Sequence, residues 1–172
     1  MSLISADLLA TQLDDPEVRI VDTRWYLADV EQGRREYDES HIPGALFMDV
    51  EADLSSAQPG PGRHPLPPWE EFIERLGASG IGAGHHVVAY DTTDGSIAAR
   101  LWWMLRRLGH DRVSVLDGGW DAWQAAGLQT ETDVRDYPAT TYSAQILPGG
   151  MVDRDELRSN LGDVLLLDAR AP

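Results

Sequence analysis

The sequence has no cysteine among its 172 residues. Without a thiolate, no disulfide, persulfide or cysteine-ligated metal can form within this chain. Long hydrophobic runs are also missing, since none approaches the roughly 18 residues needed to span a bilayer. The first ten residues lack the basic flank and the long apolar core of a secretory signal. We therefore expect residence in the cytoplasm, no contact with membranes and no metal or other cofactor.

Basic residues are few, with 14 Lys and Arg against 29 Asp and Glu, which gives a net charge of −15. The densest basic groups are only pairs, Arg34–Arg35 and Arg106–Arg107. Nucleic-acid binding depends on Lys and Arg that replace counterions on phosphates, so this composition argues against a nucleic-acid partner. It also disfavours anionic membrane surfaces. The hydrophobic fraction of 42% is that of an ordinary globular protein.

Extended and helical patterns alternate along the chain, which indicates an α/β fold. The apolar run Val87-Val88-Ala89-Tyr90 is typical of a strand that a parallel sheet buries on both faces. We predict strands over residues 18–21, 87–90 and 113–116, and helices over residues 5–13, 68–76, 97–108 and 120–126. This order predicts a mainly parallel central sheet with helices around it.

A partial internal repeat follows a turn-rich segment. Residues 153–170 match residues 5–24, with Asp22-Thr23-Arg24 aligned to Asp168-Ala169-Arg170. The apolar run 164–167 then corresponds to the strand over 18–21. The sequence therefore predicts one domain over residues 1–130, a linker over 131–150, and the first helix and strand of a second, similar domain over 151–172.

His41 lies in the turn sequence His41-Ile42-Pro43-Gly44 and has two interpretations. As a catalytic residue it would be a general base. As a structural residue it would hydrogen-bond to nearby backbone and fix the turn, in which Gly44 supplies conformational freedom. No nucleophile is identifiable beside it, so the structural role is favoured.

Asp91 directly follows a predicted buried strand and precedes a helix, which is where open α/β sheets bind ligands. One interpretation makes it a nucleophile like that of aspartyl-phosphate enzymes. Those enzymes usually have a second carboxylate two residues later, where this chain has Thr93, and the sequence offers no lysine to hold a phosphate. The favoured alternative is that Asp91 and Ser96 accept hydrogen bonds from the N–H groups of the loop and the helix.

Several stretches taken together resemble the rhodanese family. Two look like its signatures, Tyr37–Ala45 followed by Met48, and Leu116–Trp123. Four more are similar to the N-terminal domain of tandem-domain thiosulfate and 3-mercaptopyruvate sulfurtransferases, namely Asp22–Trp25, Gly62–Pro67, Val87–Asp91 and Ala98–Leu105. The residues expected to carry these motifs structurally are Asp22, Arg24, His41, Gly44, Asp117, Gly118, Gly119 and Trp120.

The resemblance implies a doubly wound α/β domain with a five-stranded parallel sheet. It also implies transfer of sulfane sulfur to cyanide or a thiol through a cysteine persulfide. The family's cysteine position holds Asp91 here, and in tandem enzymes the first domain typically lacks the cysteine while the second supplies it. The implied partners are a second rhodanese domain of the same polypeptide and a small anionic sulfur donor, with Arg170 as a candidate for binding that anion.

These expectations lead to two interpretations of the whole chain. In the first, it is the non-catalytic N-terminal half of a tandem-domain sulfurtransferase, truncated at the start of the catalytic half and inactive alone. In the second, it is a stand-alone, catalytically dead rhodanese-like module used for binding or regulation.

Overall fold

In the described part of the chain, five parallel strands form a central sheet, in the order β1-β5-β4-β2-β3. The computed structural model describes residues 2–57, 62–92 and 94–168. The strands are β1 (Leu3–Ile4), β2 (Val18–Asp22), β3 (Ala45–Phe47), β4 (His86–Tyr90) and β5 (Val113–Leu116). The helices are α1 (Ala6–Ala10), α2 (Gln32–Glu39), α3 (Trp69–Ala78), α4 (Ala98–Arg107), α5 (Gly119–Ala125) and α6 (Arg154–Ser159).

Each face of the sheet is covered by its own hydrophobic core. Along β4, Val87 and Ala89 belong to one core, whereas Val88 and Tyr90 belong to the other. The first core is completed by α3 and α4, and the second by α1, α2 and α5. A strand that is buried on both sides favours consecutive apolar residues, which explains the run from Val87 to Tyr90. The predicted α/β fold with a doubly wound parallel sheet is thereby confirmed.

The sequence pattern located the longer elements and missed three others. The predicted first helix is shorter than expected, although the Ser5 hydroxyl oxygen does cap it by accepting the Leu8 N–H at 3.3 Å. β1, α2 and β3 were not predicted from the residue pattern. No helix in the described parts of the chain is long and apolar enough to cross a membrane.

The repeated segment near the end of the chain forms its helix but not its strand. Asp153 caps α6 by accepting the N–H groups of Asp155 and Glu156, both at 2.8 Å. Residues 164–167, which were predicted to be a strand, have no regular structure and are exposed. A strand needs a hydrogen-bonded neighbour, and no described strand pairs with this segment. Arg170 lies outside the described residues.

The segment predicted to be a linker lies against the domain, and we call residues 131–147 the strap. Near its start, the backbone of Glu131 exchanges two hydrogen bonds with that of His41, both at 2.9 Å. Near its end, the N–H of Leu147 donates to the carbonyl of Arg107 at 2.8 Å. Polar composition predicted a linker here, but these backbone groups bond to the domain instead of to water. The domain boundaries themselves stay a prediction.

A substitution at Gly33 in α2 tests how closely this helix must approach the chain that follows β2. A Cβ atom on Gly33 would lie 1.9 Å from the carbonyl oxygen of Arg24, which is backbone and cannot rotate away. We expect Gly33→Ala to lower the free energy of unfolding by about 1–3 kcal/mol, as overpacking does. Urea denaturation measures this change. Gly84→Ala is the control, since a Cβ there meets nothing within 4 Å; equal losses in the two variants would contradict the expected steric cause.

Candidate functional site

Asp91 lies at the carboxyl end of β4, and its carboxylate is already occupied by the chain itself. Its Oδ1 accepts the N–H of Gly95 at 3.0 Å. Its Oδ2 accepts the N–H groups of Ile97 and Ala98 at 2.8 and 3.1 Å, at the start of α4. The side chain is only 3% exposed. Asp91 thus supplies, from within, the negative charge that a helix N-terminus attracts.

The turn before α5 hydrogen-bonds to the loop that follows β4. This loop begins at Asp91, and we call it the Asp91 loop. The N–H of Trp120 donates to the carbonyl of Asp91 at 2.8 Å, and the N–H of Asp121 donates to that of Thr92 at 2.9 Å. A Cβ atom on Gly119 would lie 2.6 Å from the Asp91 carbonyl oxygen, and its φ is +55°. Only glycine fits such a position without strain. Gly118 has a φ of +72°, so the Asp117-Gly118-Gly119-Trp120 motif is a turn that fastens β5 and α5 to this loop.

The second carboxylate acceptor in this loop is Asp94. It accepts the N–H of Ser96 at 2.9 Å. Hydrogen bonds from the backbone and then the side chain of Ser96 lower the pKa of Asp94. The expectation that Ser96 is also an acceptor for these N–H groups was wrong, because they donate to Asp91 and the Ser96 N–H donates to Asp94. A pocket of about 260 Å³ beside the loop is lined by Trp25, Asp91, Thr92, Asp94, Ser96 and Ile97.

Asp22 and Arg24 form a buried ion pair at the end of β2, one strand away from Asp91. The Arg24 Nη2 and Nε atoms donate to Asp22 Oδ2 at 2.7 and 2.9 Å. Nη2 also donates to the carbonyl of Ser40 at 2.8 Å, and the guanidinium lies 4.6 Å from the centre of the Trp120 ring. Burial alone would lower the pKa of Arg24, but the Asp22 carboxylate raises it above its usual value. The side chains are 2% and 0% exposed, so the pair binds the fold together and offers no charge to a ligand.

Tyr90 connects this ion pair to the turn that contains His41. Its hydroxyl donates to Asp22 Oδ2 at 2.6 Å and accepts the N–H of Ile42 at 3.4 Å. Burial, and then the negative charge of Asp22, raise the pKa of the Tyr90 hydroxyl well above its usual value. The hydroxyl therefore stays protonated and serves as a donor to the carboxylate.

The surroundings of His41 favour its structural interpretation. The ring is buried and stacks on Tyr37 at 4.0 Å, with Nδ1 lying 2.7 Å from the Tyr37 carbonyl oxygen. Nε2 lies 3.3 Å from the carbonyl oxygen of Asp133 in the strap. The N–H of Gly44 donates to Glu131 Oε1 at 2.5 Å. Both ring nitrogens face backbone, so His41 joins α2 to the strap and has no open side for proton transfer to a ligand.

A pocket of about 690 Å³ was not singled out by reasoning from the sequence. Its lining includes Arg34, Arg63 and His64 together with acidic side chains such as Asp49. Arg100 of α4 supports one wall, because its Nη2 donates to the carbonyls of Leu54 and His64 at 2.8 and 2.9 Å. The available signal was the Gly62–Pro67 stretch, which was noted only as part of a family likeness. Within the described residues, no group of three or more His, Asp or Glu side chains could hold a metal ion.

In a comparison of sequences, the family model of the rhodanese-like domain matches residues 5–126 of this chain. The chain belongs to the rhodanese family. It is 41% identical over 174 residues to a probable 3-mercaptopyruvate sulfurtransferase of Pseudomonas aeruginosa, covering 98% of this chain and 61% of the relative. It is 36% identical over 167 residues to the 3-mercaptopyruvate sulfurtransferase of Homo sapiens, covering 93% of this chain and 56% of the relative.

Solved structures agree with this membership in the rhodanese family. The crystal structure of SseA from Escherichia coli, a 3-mercaptopyruvate sulfotransferase, superposes with a TM-score of 0.84 and 34% identity, covering 93% of this chain and 62% of that chain. The chain thus spans about three fifths of the length of the relatives that it matches. The family that the motifs predicted is confirmed.

Replacing Asp91 tests whether its carboxylate is a structural acceptor. Asp91→Ala leaves three N–H groups without their acceptor, and we expect the free energy of unfolding to fall by about 1–3 kcal/mol. Chemical denaturation measures the loss. Asp94→Ala is the control, because that side chain is exposed and water can replace it. A stability of Asp91→Ala equal to that of the control would count against the structural role.

Replacing Tyr90 tests the hydrogen bond to the buried carboxylate. We expect Tyr90→Phe to lower the free energy of unfolding by about 1.5–3 kcal/mol, the range for hydrogen bonds to charged groups. Tyr26→Phe is the control, since its hydroxyl also bonds to a carboxylate, Glu36 Oε2 at 2.7 Å, but lies where solvent can compensate. Thermal or urea unfolding of both variants gives the comparison. An equal loss of stability in both variants would show that the burial of Asp22 does not strengthen its hydrogen bond with Tyr90.

Proposed function

We propose that this chain is the non-catalytic N-terminal half of a tandem-domain sulfurtransferase. A following rhodanese domain would supply the cysteine that carries sulfur as a persulfide. The donor would be 3-mercaptopyruvate or thiosulfate, and the acceptor cyanide or a thiol. The present half would pack against the second domain and form one wall of its active-site cleft. Residence in the cytoplasm is part of the proposal.

The observation that carries the proposal is the state of the Asp91 loop. In catalytic members of the family, this position is the cysteine, surrounded by backbone N–H groups. Here Asp91 accepts three such N–H groups with its own oxygens. A carboxylate can satisfy these donors, but it has no sulfur to carry. Asp91 therefore satisfies the loop donors, and the chemistry has to be supplied from elsewhere.

The exposed segment 164–167 also supports the proposal. It corresponds in sequence to residues 18–21 of β2, which pairs with β3 on one side and β4 on the other. Leu165 and Leu167 are 86% and 85% exposed. Leucines on a segment that matches a central strand are expected to be buried between a sheet and its helices. A second rhodanese domain would bury them in that way.

The assay for this proposal measures thiocyanate formed from cyanide with either thiosulfate or 3-mercaptopyruvate. We expect the purified 172-residue chain to form none above the buffer background, because it has no cysteine. Cyanide-dependent thiocyanate formation by this chain would overturn the proposal. An active tandem sulfurtransferase, assayed alone and mixed with the chain, controls for inhibition by the preparation.

Reading the gene beyond codon 172 tests the second domain directly. The proposal requires a second His-x-Pro-Gly motif, followed by a strand that ends in cysteine. The protein extended to include them should form thiocyanate, and replacing that cysteine with serine should abolish the activity. A stop codon directly after Pro172 would instead favour a catalytically dead binding module.

The aspartyl-phosphate alternative for Asp91 gives a different result with beryllofluoride. A free aspartate nucleophile forms an adduct with beryllofluoride and Mg²⁺. We expect no adduct here, because both Asp91 oxygens accept backbone N–H groups and the side chain is 3% exposed. Mass and fluorine NMR measurements on the folded chain, with Asp91→Ala as the blank, detect it. A stoichiometric adduct that is lost in Asp91→Ala would restore the phosphoryl-transfer interpretation.

A further inference from the structure

The strap meets the domain at a buried contact between Tyr142 and His110. The Tyr142 hydroxyl lies 2.7 Å from Nδ1 of His110, and the two rings stack with their centres 5.8 Å apart. The residues are 5% and 3% exposed. His110 follows α4 and precedes β5, so a side chain of the strap is hydrogen-bonded to the interior of the domain at this point.

The neighbours of His110 define which ring nitrogen carries the proton. Nε2 lies 2.9 Å from the carbonyl oxygen of His85 and 3.1 Å from that of Arg112. Carbonyl oxygens only accept hydrogen bonds, so Nε2 is protonated. In the neutral ring Nδ1 is then an acceptor, and the Tyr142 hydroxyl donates to it. The observed geometry therefore fits a neutral imidazole that donates from Nε2 and accepts at Nδ1.

We propose that the contact between His110 and Tyr142 is a pH-sensitive switch, which holds the strap on the domain at neutral pH and releases it when His110 is protonated. A doubly protonated ring presents an N–H to the Tyr142 oxygen, and the hydroxyl hydrogen must then turn away. Among the described residues, no contact provides a second acceptor for that hydrogen. The change buries both a positive charge and an unpaired donor, and each of these is costly.

The charged groups around His110 do not offset this cost. Arg112 disfavours a second positive charge, whereas Asp111 favours it. Asp111, however, is 81% exposed and pairs with Arg106. The ring of His85 adds no negative charge. The other titratable groups near the contact are His86 of β4, whose own pKa is lowered by burial and then by Arg112, and Tyr142 of the strap, whose pKa is raised by burial.

The direction of the pH effect follows from proton linkage. Burial lowers the pKa of His110 below its usual value, although hydrogen bonds to the His85 and Arg112 carbonyls partly oppose this. When the strap is released, the ring becomes exposed and its pKa returns toward about 6.5. The released state therefore binds the proton more tightly. Lowering the pH below about 6.5 favours release, and raising it favours the docked strap.

The backbone bonds next to Tyr142 would open with it. On one side, the Thr140 N–H donates to the carbonyl of Gly77 at 2.9 Å. On the other side, the N–H groups of Gln145 and Leu147 donate to carbonyls at the end of α4, at 3.0 and 2.8 Å. This half of the strap leads directly to the segment that repeats the start of the chain. Release would lengthen the free tether between the domain and that segment.

Hydrogen exchange measured against pH on the 172-residue chain tests the switch. After correction for intrinsic exchange, we expect the opening constants of the Thr140, Gln145 and Leu147 amides to rise below pH 6.5, by up to about tenfold per pH unit. Amides of β4, which report global unfolding, should stay much better protected than the strap amides throughout this pH range. NMR titration of the His110 ring should give a pKa below that of an exposed histidine. An unshifted pKa, or strap amides with opening constants independent of pH, would overturn the proposal.

Two variants distinguish the contribution of His110 to the pH dependence from that of its neighbour His86. His110→Gln keeps a donor for the two carbonyls but cannot be protonated in this range, so its strap amides should lose their pH dependence. His86→Gln is the matched control, since His86 is also partly buried but bonds to Ser114 and not to the strap. Its strap amides should behave like those of the unmodified chain. If His86→Gln removed the pH dependence and His110→Gln kept it, the assignment to His110 would be wrong. Should His110→Gln fail to fold, the titration and exchange of the unmodified chain still decide.

Discussion

The Asp22 carboxylate is the group on which the arrangement of this domain depends. It is fully buried at the end of a central strand, where an isolated charge would be strongly unfavourable. Arg24 and Tyr90 surround it with donors, and each of them extends the connection further. Arg24 reaches the end of α2 and the face of Trp120, while Tyr90 reaches the turn after His41. One buried charge therefore sets the relative positions of β2, β4, α2 and α5.

Asp91 shows a different use of a carboxylate at the same edge of the sheet. Asp22 is neutralised by a cation, whereas Asp91 is surrounded by backbone N–H groups and a helix N-terminus. The loop donors are thus satisfied without a thiol. This arrangement agrees with the proposed role, in which the chemistry belongs to another domain.

Much of the fold could be predicted from the sequence, because the long elements carry strong local patterns. β4 and α4 were predicted to within one residue at each end, since one is a continuous apolar run and the other is bounded by Gly95 and Gly109. β1 and β3 contain two and three residues, too few for a periodic pattern. α2 is highly charged, with Gly33 and Tyr37 its buried residues, so its apolar face could not be recognised.

The candidate site shows the same difference between features with a local sequence pattern and features without one. The role of Asp91 was predictable because its partners lie within seven residues along the chain. The bond between Tyr90 and Asp22 joins residues 68 apart, and no local pattern reports it. The contacts of the strap were missed for a related reason. Its polar composition is typical of a linker, and the groups that bind it belong to distant turns and helix ends.

The place of β2 in the sheet has a consequence for synthesis on the ribosome. β2 is an interior strand with neighbours on both sides, whereas the segment 164–167 that resembles it in sequence pairs with no described strand. All five strands of the domain are made before this segment appears, so the domain can fold while the chain is still growing. The leucine-rich run emerges after all five, and none of them pairs with it. While it is unpaired, Val164-Leu165-Leu166-Leu167 is a short, uncharged, β-prone stretch open to aggregation. The aspartates on either side of it, Asp163 and Asp168, oppose such association through their charge.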